Sequence, residues 1–192
     1  MDKQQKKDVQ VPEYIITVDE HDRETGYMEK LEAHRRGILH RAFSLMIFNK
    51  KGEMLLQKRA KMKYHSPGLW SNTCCSHQRV GETLGEAVSR RVQEELGFTC
   101  PCKEIFHFKY LVEFVNGLME HEIDHVFFGH YNGTVIPNDD EVEEIRWVDM
   151  DTLSKEMKEN PDRFTYWFKI LMDQPEMTSK VKLMAGDEEW ID

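Results

Sequence analysis

A cysteine and a histidine two residues apart, Cys75 and His77 in the segment SNTCCSHQ, have the side chains needed for proton transfer and metal binding. A thiol with an ordinary pKa of about 8.5 can release and regain a proton near neutral pH. No second Cys/His pair is placed to complete a zinc finger, and a cysteine taken alone is more often a small buried apolar residue. These residue types by themselves indicate a metal-dependent site, which we expect on a short loop before a helix.

Two carboxylates and a group of cations add to this candidate chemistry. Glu120 and Glu122 in MEHEIDH are two residues apart, so on a strand both carboxylates project to one side and can meet one metal. The alternative is an ordinary charged strand end. The segment QKRAKMK is basic, and composition alone favours a solvated loop for its four cations, Lys58, Arg59, Lys61 and Lys63.

One helix and several strands must position these groups. Residues 82–96 form the clearest predicted helix, because apolar residues recur on one stripe and Gly97 follows it. Apolar and aromatic runs predict strands at 14–18, 42–48, 53–59, 105–114, 122–131 and 141–150. Shorter helices are predicted within 28–36, 151–160 and 163–172. This order of elements indicates the α/β (α+β) fold class, with helices covering a mixed sheet.

Length and composition limit the classes of function that the chain can have. A chain of 192 residues with 40% hydrophobic residues is expected to form a single domain over 1–192, with a mobile tail at 1–12. The net charge of −9 excludes a general nucleic-acid binder but not a small phosphorylated ligand, since basic groups can cluster locally. With four cysteines in two tight groups and no signal peptide or apolar span, we expect a cytoplasmic protein with no membrane contact. Cys100 and Cys102 are expected to be structural or incidental.

The segment of residues 76–98, which contains GETLGEAVSRRVQEELGF, resembles the Nudix box, a loop–helix–loop that binds divalent metal and diphosphate. It departs from that pattern at Ser76, where a glycine belongs, and at Arg91, where a glutamate belongs. A guanidinium at this position hampers metal-dependent hydrolysis and favours direct binding of diphosphate oxygens. The alternative is a surface pair of Arg91 with Glu95 at i,i+4, worth a few tenths of a kcal/mol; both can hold.

Together with LHRAFS and PGLWSNTCCSH, this degenerate box resembles the type I isopentenyl diphosphate isomerases, from about residue 30 through 167. The resemblance implies a Nudix-like mixed β-sheet sandwiched between helices. It also implies metal-dependent isomerisation of isopentenyl diphosphate to dimethylallyl diphosphate, through a tertiary carbocation, in isoprenoid biosynthesis. A small-molecule substrate is then the expected partner, and the protein is expected to be a monomer or a homodimer.

The same resemblance assigns roles to individual residues. Cys75 and Glu122 become the proton-transfer groups on opposite faces of the substrate, Tyr110 orients Glu122, and Trp167 stabilises positive charge with its ring face. Cys74 is left as a buried apolar residue. The diphosphate is assigned to four cations, Lys30, Arg59, Lys63 and Arg91.

Two metals follow from the resemblance as well. Mg²⁺ bridging the diphosphate oxygens is assigned to Glu95. A second divalent metal, Mn²⁺, Zn²⁺ or Mg²⁺, is assigned to the ligands His34, His40, His77, Glu120 and Glu122. The other histidines are expected to be structural or on the surface, namely His21, His65, His107, His121, His125 and His130.

Two other functions fit part of the pattern. A true Nudix hydrolase of a nucleoside diphosphate derivative would need an intact glutamate cluster, and it leaves Cys75 and the two strand carboxylates unused. A non-catalytic metal- or phosphate-binding module could share the fold, but every proposed catalytic position is filled.

Overall fold

The computed structural model describes residues 13–184, apart from residues 64 and 115. The predicted mobile tail at 1–12 and the acidic end GDEEWID lie outside these residues. The strands are β1 Tyr14–Val18, β2 Glu24–Glu29, β3 His40–Phe48, β4 Met54–Arg59, β5 Trp70–Ser71, β6 Cys74–His77, β7 Cys102–Glu113, β8 Met119–His130 and β9 Val142–Val148. The helices are α1 Lys30–Arg36, α2 Leu84–Leu96, α3 Met150–Glu159, α4 Tyr166–Met172 and α5 Pro175–Met184, with a 3₁₀ turn at Pro161–Arg163.

Strand β3 organises the sheet. It pairs in parallel with β8 over its full length, from His40 opposite Glu122 to Phe48 opposite His130. It pairs antiparallel with β6 on its other side, where Ser44 lies opposite Cys75. The mixture of parallel and antiparallel neighbours confirms the predicted mixed sheet.

Alternate residues of β3 face two different groups of helices. Phe43, Leu45 and Ile47 pack in a cluster with the apolar stripe of α2. Met46 and Phe48 pack in the cluster that holds the apolar residues of α3 and α4. Because side chains alternate along a strand, one nine-residue segment thus supports helices on both faces of the sheet. The predicted arrangement of a sheet between helices is confirmed.

Helix α2 has well-defined ends. Thr83 is its N-cap and forms a capping box with Glu86, which satisfies backbone N–H groups of the first turn. Gly97 ends the helix at φ 73°, a left-handed conformation that glycine adopts without strain. The predicted start at residue 82 was therefore two residues early.

The sequence prediction missed three strands and one helix, the shortest of them the two-residue strand β5. The segment CCSH is not a loop but strand β6, so Cys75 and His77 project to the same side of the sheet. Strand β2 is mostly exposed and has no apolar alternation, and it is held by pairing with β1. Helix α5 follows α4 after a short break. Within the described part of the chain, no helix has the length and apolar character needed to cross a membrane.

Candidate active site

A cavity of about 600 Å³, counted to its open mouth, lies where β3, β6 and β8 meet the C-terminal helices. Every residue assigned to the site from the sequence lines it, except His40, whose side chain is fully buried behind it. The structure therefore brings together residues that are spread from position 30 to position 167.

Strand register explains why these side chains share one face. Glu122 lies opposite His40 of β3 and opposite Tyr110 of β7, and directly paired residues project to the same side of a sheet. Cys75 and His77 lie opposite Ser44 and Ala42, which have the same parity in β3 as His40. Since β3 lies between β6 and β8, the thiol and the carboxylates come from strands on its two sides.

Four ligand atoms converge at the inner end of the cavity. Atoms of His34, His40, His77 and Glu122 all lie within 4.8 Å of one another, and all four side chains are buried. Oε1 of Glu122 is 3.1 Å from Nε2 of His77, 3.3 Å from Nε2 of His40 and 3.9 Å from Nε2 of His34. Neighbouring ligands of a tetrahedral metal with bonds of about 2.0–2.1 Å are separated by roughly 3.3 Å. These four atoms have the spacing of a ligand shell.

The outer nitrogens of two of these histidines indicate their tautomers. Nδ1 of His34 is 2.7 Å from the carbonyl of Lys30, and Nδ1 of His40 is 2.7 Å from the carbonyl of Ile38. A carbonyl only accepts, so each Nδ1 donates, and Nε2 is the nitrogen on the side of the Glu122 carboxylate. Burial also lowers the pKa of His77, to about 3, so its ring is neutral. Three imidazoles and one carboxylate, buried and turned towards one point, fit a divalent metal.

Tyr110 joins this group to a second carboxylate. Its buried hydroxyl donates to Oε2 of Glu122 at 2.6 Å and lies 3.2 Å from Oε2 of Glu120. Burial, and then the charge of Glu122, raises the pKa of Tyr110 well above its usual value, so the phenol keeps its proton. The same two causes raise the pKa of Glu120 well above its ordinary range. Glu120 lines the cavity beside the four-ligand cluster, and its oxygens are not among the mutually close atoms.

The two adjacent cysteines have different surroundings. Cys74 is fully buried in the cluster around α2, which is the packing role expected for it. Cys75 lines the cavity. Burial raises the pKa of the Cys75 thiol to about 12, although the nearby Arg59 opposes the rise, so in this structure the thiol carries its proton.

Basic side chains lie at the outer end of the cavity and are paired with carboxylates. Glu141 binds both Lys63 and Nη2 of Arg91, the latter at 3.2 Å. Arg91 also bonds to Glu95, as the i,i+4 alternative predicted, but the pair lines the cavity with a buried carboxylate and is not the surface pair of that alternative. Glu95 is buried and accepts a hydrogen bond from Nε2 of Gln57 at 2.8 Å.

Trp167 is buried and lines the cavity, with one cation over its ring. The Arg59 guanidinium carbon is 5.1 Å from the ring centroid, within cation–π range. The indole N–H donates to the hydroxyl of Ser71 at 3.0 Å, which fixes the ring's orientation. Its edge contact with His65 has a centroid separation of 5.5 Å.

Three residues of the site were missed in the sequence. His65 was expected to be structural or on the surface, but it lines the cavity next to Trp167. Asp124 was not considered, although it is two residues after Glu122 on the same strand and thus shares its face; its Oδ2 accepts from Ser44 at 2.8 Å. Strand alternation could have found Asp124. For His65 and Glu141 the sequence contains no local signal.

Comparisons with known proteins agree with this geometry. A family profile described as NUDIX domain matches residues 38–168. The chain is 45% identical over 160 residues to an "Isopentenyl-diphosphate Delta-isomerase 2" of Aromatoleum aromaticum, covering 83% of this chain and 85% of that protein. It is 47% identical over 161 residues to the protein of the same name in Photorhabdus laumondii, covering 84% and 91%. Among solved structures, the protein DR0079 from Deinococcus radiodurans has a TM-score of 0.69 at 18% identity, covering 83% of this chain and 97% of that one, which shows the fold alone.

Proposed function

The chain belongs to the NUDIX-domain family and to its isopentenyl-diphosphate Delta-isomerases, and we propose that the cavity described above is where it converts isopentenyl diphosphate to dimethylallyl diphosphate. The observation that carries this proposal is the composition of one cavity. A thiol, a group of carboxylates, an aromatic ring and four cations all line it. The isomerisation needs all of these, and hydrolysis would leave the thiol and the strand carboxylates without a role.

The proton transfers are assigned to Cys75 and Glu122. An unactivated alkene is a weak base, so one group must protonate its terminal carbon while another removes a proton from the carbon nearer the diphosphate. The Cys75 thiol, on one side of β3, carries the proton to be donated. Burial would raise the pKa of Glu122 on the other side, but hydrogen bonds with His40 and His77 hold it well below its usual range, so its carboxylate can accept a proton. The two groups exchange roles when the reaction runs in reverse.

The carbocation between these steps is assigned to Trp167. The ring already faces a guanidinium, which indicates that its π-face is available to positive charge and offers no lone pair to trap it. Tyr110 is assigned to orient Glu122, since it is the donor to the oxygen of that carboxylate that faces away from the histidines.

The enzyme is expected to use divalent metals. We assign one metal, Mn²⁺, Zn²⁺ or Mg²⁺, to His34, His40, His77 and Glu122, with Glu120 as a further carboxylate ligand. We assign Mg²⁺ to Glu95 beside the diphosphate oxygens. When bound, such cations neutralise the diphosphate charge and keep the ligating carboxylates ionised.

Diphosphate binding is assigned to Lys30, Arg59, Lys63 and Arg91. Lys30 pairs with Glu13 at 3.2 Å, and two of the other cations pair with Glu141. The substrate's oxygens would take over interactions that these carboxylates now make.

An isotope experiment tests the reaction. The protein is incubated with isopentenyl diphosphate and Mg²⁺ plus Mn²⁺ in deuterated water and followed by NMR. Deuterium should enter the new methyl group of dimethylallyl diphosphate, and no phosphate should be released. Release of phosphate without isomerisation would instead indicate the hydrolase.

A pair of cysteine variants tests the assigned thiol. Cys75→Ala should lose turnover by at least about 10³-fold while it still binds the diphosphate, because only the proton-transfer group is removed. Cys100→Ala is the control, since Cys100 is half-buried and does not line the cavity. Full activity in Cys75→Ala would show that the thiol is not a proton-transfer group.

A role in isoprenoid biosynthesis follows from the proposed product. The cytoplasmic location, the single domain over 1–192 and the monomeric or homodimeric state stay predictions from the sequence.

A further inference from the structure

A second group of metal-ligating side chains lies on the opposite side of the sheet from the cavity. His107 of β7 and His125 of β8 are directly paired across the two strands, with ring centroids 5.2 Å apart. The neighbouring pair Tyr110 and Glu122 has the other parity and faces the cavity, so the two histidines project away from it. Glu104 reaches the same point, because a bulge after it shifts its register.

The ligand atoms of these three residues have the spacing of a metal site. One nitrogen of each histidine and one oxygen of Glu104 lie within 4.8 Å of one another. Oε1 of Glu104 is 2.8 Å from Nδ1 of His125 and 3.8 Å from Nδ1 of His107. These values bracket the roughly 3.3 Å between ligands around a tetrahedral ion with bonds of about 2.0–2.1 Å.

The far nitrogen of His125 lies beside a carboxylate, although it forms no hydrogen bond in this structure. Nε2 of His125 is 3.1 Å from Oδ2 of Asp22. Asp22 is itself held by Arg41, whose Nε donates to its Oδ1 at 2.9 Å and whose Nη2 donates to its carbonyl at 2.7 Å. A carboxylate on the outer nitrogen orients the ring and makes the inner nitrogen a better ligand.

We propose that Glu104, His107 and His125 form a second, separate binding site for a divalent first-row metal such as Zn²⁺. His125 supplies a buried, fixed ligand with 6% of its side chain exposed, while His107 and Glu104 are 59% and 40% exposed and can adjust to the ion. Three protein ligands leave a fourth position open to solvent, as in tetrahedral sites with an exchangeable ligand. Asp22 is a positioning residue in this site, since it acts through His125.

Zinc stoichiometry tests the proposal. The full chain and its variants are equilibrated at a buffered low-micromolar concentration of free Zn²⁺, and bound zinc is counted by mass spectrometry. The wild-type chain should hold about one more equivalent than His107→Asn or Glu104→Gln. Both substitutions are at exposed side chains, so folding should be preserved. His21→Asn is the matched control, because His21 is exposed and lies outside the group.

A graded variant separates a built site from casual surface binding. Asp22→Asn should weaken the affinity for this zinc roughly 10- to 100-fold without removing it, the usual effect of losing the outer carboxylate. Asparagine tolerates the positive φ of 58° at this position, so the turn is retained. On adding Zn²⁺ to wild-type protein, the ring NMR signals of His107 and His125 should shift together.

Either of two results would overturn the site. Equal zinc content in wild type and His107→Asn would show that these ligands bind none. Equal loss of zinc in His21→Asn would assign the additional ion to another group.

Discussion

Replacing Tyr110 by phenylalanine isolates one hydrogen bond in the centre of the proposed site. The aromatic ring, which is 8% exposed, remains and keeps the packing. Only the hydroxyl that donates to Glu122 at 2.6 Å and approaches Glu120 at 3.2 Å is removed. If Glu122 takes part in proton transfer, its orientation depends on this donor.

The expected size of the effect follows from the kind of bond that is lost. A hydrogen bond to a charged group contributes about 1.5–3 kcal/mol, and this one is buried and short. If that energy is used in the transition state, kcat should fall roughly 10- to 150-fold, because about 1.4 kcal/mol corresponds to a factor of ten. KM should change little, since Tyr110 does not contact the cations assigned to the diphosphate.

The assay is steady-state isomerisation of isopentenyl diphosphate, with thermal unfolding measured on the same samples. Tyr131→Phe is the matched control, because it removes a hydroxyl that donates to the carbonyl of Thr134 at 3.0 Å, outside the cavity. A Tyr110→Phe enzyme with kcat within twofold of wild type would refute the orienting role. If the fall in kcat disappears at temperatures well below the unfolding transition, the Tyr110 hydroxyl contributes only to the stability of the protein.

Three other perturbations test the cation cluster, a helix end and an ion pair. Glu141→Gln should tighten binding of inorganic pyrophosphate roughly two- to tenfold in a calorimetric titration, because it removes an anion that competes for two of the assigned cations; weaker binding would contradict this. Gly97→Ala should lower the free energy of unfolding by about 1–3 kcal/mol, since φ is 73° and a Cβ would lie 2.8 Å from a backbone carbonyl, whereas Gly85→Ala has open space and should cost nothing. Burial would raise the pKa of Glu13, but the charge of Lys30 and further partners lower it to about 2. Its contribution to stability is therefore present above about pH 4.5 and lost as the pH falls towards 2, and Glu13→Gln should flatten that part of the acid-unfolding curve.

Helix α2 and the long strands could be predicted from the sequence because their patterns are strong. The apolar stripe of α2 recurs over thirteen residues and ends at Gly97. From Ala42 to Phe48, Ser44 is the one polar residue of strand β3, as expected for a strand covered on both faces. Strand β6 could not be predicted, because four residues of CCSH contain no periodicity and their strand geometry comes from pairing with β3.

The candidate site was predictable only to the extent that the resemblance supplied it. From residue types alone, nothing distinguishes His34 and His40 from the other seven histidines. His34 lies in α1 and His40 is the first residue of β3. The two side chains meet because the fold places both elements next to β8. The resemblance assigned no role to His65 or Glu141. Their positions beside Trp167 and Lys63 depend on loops that no local pattern predicts.

One alternation along β3 links the core to the chemistry. Residues of one parity, such as Phe43 and Leu45, are packed against α2, while His40 and Ser44 have the other parity and project to the side of the sheet that holds the cavity. A register shift of one residue would exchange these two sets, moving the His40 imidazole into an apolar cluster and turning a phenyl ring towards the cavity. Burial of these apolar residues stabilises one register of β3. The same register therefore determines which residues of β3 lie next to Glu122 on one side and Cys75 on the other. Because stability and site geometry depend on the same pairing, variants that weaken the α2 face should lose activity as well as stability, even where they contact no cavity residue.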